Sequence, residues 1–348
     1  MQPPSDISKI IAPYTAAIDS ELQALFSNTP DLPMYDHLAY FMGFKNEKLE
    51  DGVVYGGKRF RSSIMLMLAD WYGQRDKALP FATALELYHN FTLIHDDVVD
   101  KDTERRGRPT VWKLFGHDHA INSGDAQMLM MANMLARAAG AVGAGRTSQL
   151  TQQFLLEQFQ VVVEGQFLDF ELTAAKLGDP LVTQAIYEDM IRRKTAELIV
   201  AATKGAGLLT EQSQEEIAHL ENYGRSLGMA YQICDDVISI WADSDTTGKR
   251  NYGDLKEKKK TLPILFAYEK VNEVARIKLA ELYSQEELSD SDCEAVIEVL
   301  DSVNTKPVME SVFTGHAEAA KESARLLSIT AEQKSTLCAL VDSLLPKV

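Results

Sequence analysis

Carboxylates crowd at two places in this chain, Asp96-Asp97-Val98-Val99-Asp100 and Asp235-Asp236, and both follow apolar sequence. At helical spacing Asp96 and Asp100 stand one turn apart on one face, with Asp97 beside them. Like charges at that spacing repel, and Leu93, Ile94, Val98 and Val99 place them in partly buried surroundings. Such a stack needs a strong positive partner. Hard divalent cations take oxygen ligands, and Mg2+ in particular is held by one or two carboxylates together with substrate phosphates. A solvated acidic face is the plainer reading of a single cluster in a chain with 51 Asp and Glu against 35 Lys and Arg. Two clusters, each trailed by a Lys/Arg-rich loop, favour a cation site.

The stretch Gly56-Gly57-Lys58-Arg59-Phe60-Arg61 reads as the opening of a helix over 58–72. Lys58 and Arg61 would share a face at that helix start, where backbone N–H groups also favour anions. Cations at that end oppose the helix dipole, so the pair points to an anionic ligand. Arg105-Arg106 follows the first aspartate cluster in a Gly/Pro loop; Lys249 and then Lys256 to Lys260 follow the second. A net charge of −16 excludes the basic footprint of a nucleic-acid binder. Anions must therefore be met by locally focused cations or by metals. Other candidates are weaker. Gly248-Lys249 lacks the upstream glycine and following Ser/Thr of a phosphate-binding P-loop. His117-Asp118-His119 puts its histidines on different helix faces and reads as a surface loop, and Gly140 to Gly145 reads as a turn between helices.

The elements that must position these residues are helices. Apolar residues recur at helical spacing over 5–27, 58–72, 78–101, 120–139, 148–173, 180–205, 210–242 and 260–284, with Gly and Pro between them. The segments 81–94 and 226–241 are apolar nearly all round, as helices at the centre of a bundle are. Each belongs to a helix, 78–101 or 210–242, that carries an aspartate cluster toward its C-terminal end. Central helices with inward carboxylates are how a bundle builds a metal site. The fold expected is all-α, a single large helical bundle spanning residues 1–348. The three cysteines (Cys234, Cys293 and Cys338) lack close spacing, which fits free thiols in a reducing compartment. With no apparent signal peptide and no uninterrupted apolar run of about 20 residues, a cytoplasmic protein is expected.

An ordered set of motifs resembles the trans-isoprenyl diphosphate synthases, or polyprenyl synthetases. The set comprises Gly57-Lys58-Arg59-x-Arg61, Glu86-x-x-His89, Asp96-Asp97-x-x-Asp100, Arg105-Arg106-Gly107, Gly124-Asp125 and Gly165-Gln166-x-x-Asp169. It continues through Lys194-Thr195, Gln232-x-x-Asp235-Asp236, Gly248-Lys249, Gly253-Asp254-Leu255 and Lys259-x-Thr261-Leu262-Pro263. The resemblance implies a bundle of roughly a dozen helices around a central apolar cavity, acting as a homodimer on isopentenyl diphosphate and an allylic diphosphate. It implies three Mg2+ ions, with Asp96, Asp100 and Asp235 as ligands and Asp97 and Asp236 in support. Arg105, Lys194, Lys249 and Lys259 would hold the allylic diphosphate; Lys58, Arg61, His89 and Arg106 would hold that of isopentenyl diphosphate. Thr195 and Gln232 would line the place where the carbocation forms. In the physics of such a reaction the leaving diphosphate must be stabilised by fixed charges, and the cation kept from water.

Two positions depart from the family pattern. Ser239 stands where most members carry a third aspartate, and Ser62 where many have proline. The first reads as a subfamily mark. Product length should be set just upstream of Asp96, where five residues along a helix reach roughly 7.5 Å deeper. Phe91 there, small Thr92 next to it and Tyr88 one turn further down resemble the geranylgeranyl-type pattern. Two rival readings share the resemblance: a class I terpene cyclase on the same fold, and a non-catalytic partner subunit. A cyclase has no need of the isopentenyl diphosphate residues, and a partner subunit could lose its aspartates. This chain keeps the former and the first aspartate set whole.

Overall fold

In a computed structural model, residues 5–52, 56–141, 145–241 and 252–344 are described. Their regular structure is helical apart from one two-stranded hairpin and an isolated bridge between Lys45 and Asp51. No helix among the described residues is long and apolar enough to cross a membrane. Cys234, Cys293 and Cys338 are all free.

The chain divides into two compact units, residues 1–156 with 201–217, and residues 157–200 with 218–348. The first unit contains α1 (Ser5–Ser27), α2 (Pro33–Met42), α3 (Phe60–Trp71), α4 (Arg75–Val99), α5 (Val111–Phe115) and α6 (His117–Gly140). Helix α4 is packed between α6 and α3, and α1 lies on α3. From Phe81 to Tyr88 every residue of α4 is buried, as its all-round apolar character predicts. Strands β1 (Glu104–Arg105) and β2 (Arg108–Pro109) follow α4 and pair antiparallel. Their two-residue loop, Arg106-Gly107, takes φ of +57° and +74°, the left-handed pair that matches strand twist in a tight hairpin. A Gly/Pro loop was expected here.

The second unit contains the C-terminal part of α7 (Gly145–Ala174), α8 (Gln184–Ile191) and a π-helical turn over Arg192–Ala196. It continues with the start of α9 (Glu197–Leu209), most of α10 (Gln214–Trp241), and α11 (Gly253–Lys256). Next come α12 (Leu262–Lys270), α13 (Glu273–Tyr283), α14 (Asp290–Asp301), α15 (Thr305–Leu326) and α16 (Ala331–Leu344). Its apolar core draws on Ile233, Val237 and Ile240 of α10, on Ile264 and Leu265 of α12, and on Val296 and Leu300 of α14.

Four expectations need correction. The segment 180–205 is not one helix, because the π turn interrupts it. The segment 260–284 is broken at Val271-Asn272, where Asn272 caps α13 by accepting from the Ala275 amide at 3.0 Å. His117-Asp118-His119 is the exposed first turn of α6 rather than a loop. Lys58 precedes α3 instead of opening it. The helix starts at Phe60 after Arg59, which is left-handed at φ +49°, so Lys58 and Arg61 do not share a helical face. Helix α2 escaped the periodicity reading, although Pro33 at its start and left-handed Gly43 at its end are standard boundary signals.

Candidate active site

The first unit presents three aspartates where α4 ends. The Asp100 amide donates to the Asp96 carbonyl at 2.8 Å, so these residues are one turn apart as their spacing predicts. Asp96 is half-buried and Asp100 exposed, whereas Asp97 is buried and accepts a charged hydrogen bond from Arg105 Nε. Arg105 also reaches Asp102 at 3.5 Å. The second oxygen of Asp97, Oδ2, is buried without a hydrogen-bond partner. Burial, opposed by Arg105, pushes this carboxyl up to about 7.

A buried polar cluster on the same helix centres on Glu86, which is 2% exposed. Arg59 reaches its carboxylate at 3.2 Å, pairs with Asp19 at 2.9 Å, and donates to the Met42 and Gly56 carbonyls at 2.6 and 2.8 Å. Asn90 Nδ2 donates to Glu86 at 2.7 Å, and Asn90 Oδ1 accepts from Arg106 at 3.3 Å. Arg106 donates further to the Gly56 carbonyl and lies over the Phe41 ring. Gly57 is flat against it: a Cβ there would fall 2.7 Å from Arg106 Cζ, and φ is +107°, so only glycine fits. Arg61 Nη1 lies 3.1 Å from His89 Nε2. Burial of the His89 ring, then the charges of Arg61, Arg106, Arg105 and Arg59, hold it well below the usual histidine range. A neutral His89 can therefore accept from Arg61. The assembly is a set of guanidinium groups anchored on a buried carboxylate, suited to an anion. Lys58 is exposed at its edge.

The second unit holds a cavity of about 120 Å³ lined by Asp169, Lys194, Thr195, Gln232, Asp235, Asp254 and Lys259, among others. The π turn supplies Lys194 and Thr195, and two glycines let it approach its neighbours. A Cβ on Gly165 of α7 would lie 2.4 Å from the Lys194 nitrogen, and one on Gly228 of α10 would lie 2.4 Å from Ala196 Cα. π turns recur at functional sites because they re-aim side chains within a helix. Lys194 pairs with Asp169 at 2.6 Å, and Lys259 with Glu257 at 2.7 Å and Asp254 at 3.8 Å. Thr195 donates to Gln232 Oε1 at 2.9 Å, Gln232 Nε2 to Asp236 Oδ1 at 3.1 Å, and Tyr187 to Asp236 Oδ2 at 2.5 Å. That chain commits the Thr195 proton to Gln232 and leaves the hydroxyl oxygen's lone pairs available to a developing cation. Burial, then repulsion from Asp254, raises Asp236 well above the usual carboxylate range. Ser239 Oγ has two acceptors within reach, the Asp236 carbonyl at 2.9 Å and Asp254 Oδ2, and its one proton goes to the carboxylate.

Of the residues expected to act, the structure brings Arg61, His89, Arg105, Arg106, Asp96, Asp97 and Asp100 together within the first unit. Lys194, Thr195, Gln232, Asp235, Asp236 and Lys259 come together within the second. Phe91 is buried with its ring edge-on to Tyr88 at 5.1 Å and to His95 at 5.5 Å, and Thr92 turns its hydroxyl back to the His89 carbonyl at 2.8 Å. Lys249 lies outside the described residues. Roles that the sequence reading missed fall to Arg59, Asn90, Tyr187, Asp254 and Lys260. Lys260 is buried and donates to the Thr173 carbonyl at 2.7 Å, within the last turn of α7.

The carboxylates suit a hard divalent cation. All the candidate ligands are oxygen donors, Asp97 keeps a buried oxygen without a donor, and burial followed by repulsion from neighbouring carboxylates raises Asp236 and Asp254. Among the described residues no three His, Cys, Asp or Glu side chains form a ready-made metal cage.

Residues 46–300 match the model of the polyprenyl synthetase family. The chain is 33% identical over 299 residues to a short chain isoprenyl diphosphate synthase of Methanothermobacter thermautotrophicus, covering 84% of this chain and 87% of that protein. It is 36% identical over 252 residues to a geranylgeranyl diphosphate synthase of Mycobacterium tuberculosis, covering 72% and 69%. The crystal structure of geranylgeranyl pyrophosphate synthetase from Pyrococcus horikoshii superposes with a TM-score of 0.86 at 25% identity, covering 99% of each chain.

Proposed function

This chain belongs to the polyprenyl synthetase family and is a trans-prenyltransferase, and from that premise we propose that it condenses isopentenyl diphosphate with an allylic diphosphate to give chiefly geranylgeranyl diphosphate. The observation that carries the proposal is that two cation sets are present, one gathered within each unit. One comprises Arg61 paired with His89 and Arg106 joined through Asn90 to Glu86, and the other Lys194 and Lys259 in a cavity with Asp235. A cyclase that ionises one diphosphate has no use for the first set.

In this reading Asp96, Asp100 and Asp235 hold Mg2+, three ions in all, with Asp97 and Asp236 supporting them. When bound, the metal neutralises charge on the departing diphosphate. The chain's own groups do the rest. Lys194 and Lys259, with Lys249 and Arg105, bind and orient the allylic diphosphate; Lys58, Arg61, His89 and Arg106 bind the other. Thr195, with its proton committed to Gln232, directs lone pairs at the allylic carbon as positive charge develops. Bond formation with isopentenyl diphosphate and loss of a proton complete one addition. Phe91, backed by Tyr88, stops growth at twenty carbons, with fifteen and twenty-five as neighbouring outcomes. Residues 1–348 act as one polyprenyl synthetase domain, in a cytoplasmic homodimer.

Incubation with isopentenyl diphosphate, each allylic diphosphate in turn and Mg2+ tests the reading. Elongated diphosphates, mainly of twenty carbons and abolished by EDTA, are expected. Hydrocarbons or alcohols would replace this reading with a cyclase, and no turnover with a partner subunit.

A further inference from the structure

We infer that Ser62 is a positioning residue for the isopentenyl diphosphate end of the reaction, acting through Glu86 and Asn90 on Arg106. The inference rests on the reading above. Ser62 is wholly buried in the first turn of α3. Its hydroxyl has one proton and two acceptors within reach, the Arg59 carbonyl at 3.0 Å and Glu86 Oε2 at 2.7 Å. The shorter contact is to the charged oxygen, and a carboxylate is the stronger acceptor, so the proton belongs to Glu86.

The two oxygens of Glu86 are divided between different donors. Oε1 receives Arg59 and Asn90, while Ser62 serves Oε2. The Asn90 NH2 donates both to Glu86 Oε1 at 2.7 Å and to the Glu86 main-chain carbonyl at 2.8 Å. Because the Asn90 NH2 faces Glu86, its carbonyl oxygen faces Arg106 and accepts from both terminal nitrogens at 3.3 Å. Four side chains thus alternate in polarity from hydroxyl to carboxylate to amide to guanidinium. Ser62 determines the far end without touching it.

Removal of the Ser62 hydroxyl would leave Oε2 buried without its donor, which is costly for a charged acceptor. The donors that can replace it are those already around Glu86. Arg106 is among them, since its charge already helps hold Glu86 below the usual carboxylate range. Whether Asn90 or Arg106 turns to Oε2, the Asn90–Arg106 pairing is broken. Arg106 then moves off the place where its guanidinium is held between the Gly57 backbone and the Phe41 ring.

Steady-state kinetics on the full-length Ser62→Ala, Ser62→Thr and Ser62→Cys enzymes test the inference. Ser62→Ala should raise KM for isopentenyl diphosphate about tenfold, with KM for the allylic substrate and kcat within about twofold of the parent. Ser62→Thr keeps the hydroxyl and should restore the parent value. Cysteine, a weak donor, should fall between, and it reads the effect even if the alanine variant does not fold. An unchanged KM in the alanine or cysteine variant overturns the inference. So does a parallel loss of both KM values and kcat that threonine does not rescue. A parent enzyme that leaves isopentenyl diphosphate unconverted overturns the function reading itself, and this inference with it.

Discussion

Ser239 stands between a main-chain carbonyl and the Asp254 carboxylate, and its one proton goes to the carboxylate, the stronger acceptor. An aspartate there would have no proton to give and would face Asp254 across the same short gap, beside carboxyls already raised by burial and then by one another. Ser239→Asp should therefore raise the Mg2+ concentration for half-maximal turnover several-fold while leaving the product unchanged, as a Mg2+ titration of rate would show. A variant faster than the parent at low Mg2+ would mean that serine is a defect rather than a partner of Asp254. Phe91 offers a second test at this scale. Its ring is buried against Tyr88 and His95 on the stretch of α4 just before Asp96. Phe91→Ala should lengthen the main product by at least one isoprene unit, and Thr92→Phe should shorten it, read by chromatography of the dephosphorylated products. If Phe91 is only packing, the alanine variant will lose about 3–5 kcal/mol of stability and keep its product. The reactive residue types and their order were legible in the sequence. Their partners were not: Tyr187 meets Asp236 across 49 positions and Ser239 meets Asp254 across 15, pairings that no local spacing encodes.

At the level of elements, the π turn carrying Lys194 and Thr195 is the most exacting piece of the second unit. It is held between Gly165 and Gly228, where any Cβ would collide with backbone atoms rather than with yielding side-chain ends. Gly165→Ala or Gly228→Ala should displace Thr195 by a fraction of an ångström and lower kcat about a hundredfold, since small misplacements are that costly to a near-attack geometry. Circular dichroism alongside the kinetics separates this from unfolding, and alanine variants with parent kcat would refute the wedge. Helical periodicity located α1, α4, α6, α7 and α10 to within a few residues because each buries a long apolar face. It could not foresee the π turn, which preserves the apolar pattern while shifting its phase. Nor could it place Arg59 in left-handed backbone, a conformation that accompanies its buried contacts to Glu86, Gly56 and Met42. The tight Arg106-Gly107 turn was disguised as well, because arginine seldom occupies a left-handed position.

The whole molecule carries a net charge of −16 and yet must take two diphosphates. Local concentration of cations resolves that conflict: guanidinium groups anchored on Glu86 in one unit, lysines interleaved with aspartates in the other. Overall composition pointed away from nucleic acid but could not show that each set is gathered within one unit, because the division of the chain falls inside α7, α9 and α10. That each set serves its own diphosphate is the central claim, and it is testable by titration calorimetry with two ligands. One is isopentenyl diphosphate; the other is a non-ionising thio analogue of farnesyl diphosphate with Mg2+. Losing one charged hydrogen-bonding group should weaken its own ligand about ten- to a hundredfold. Arg61→Ala should do so for isopentenyl diphosphate and spare the analogue, and Lys194→Ala should do the reverse. If either variant weakens both ligands equally, or neither variant weakens its own, the two-set account is wrong.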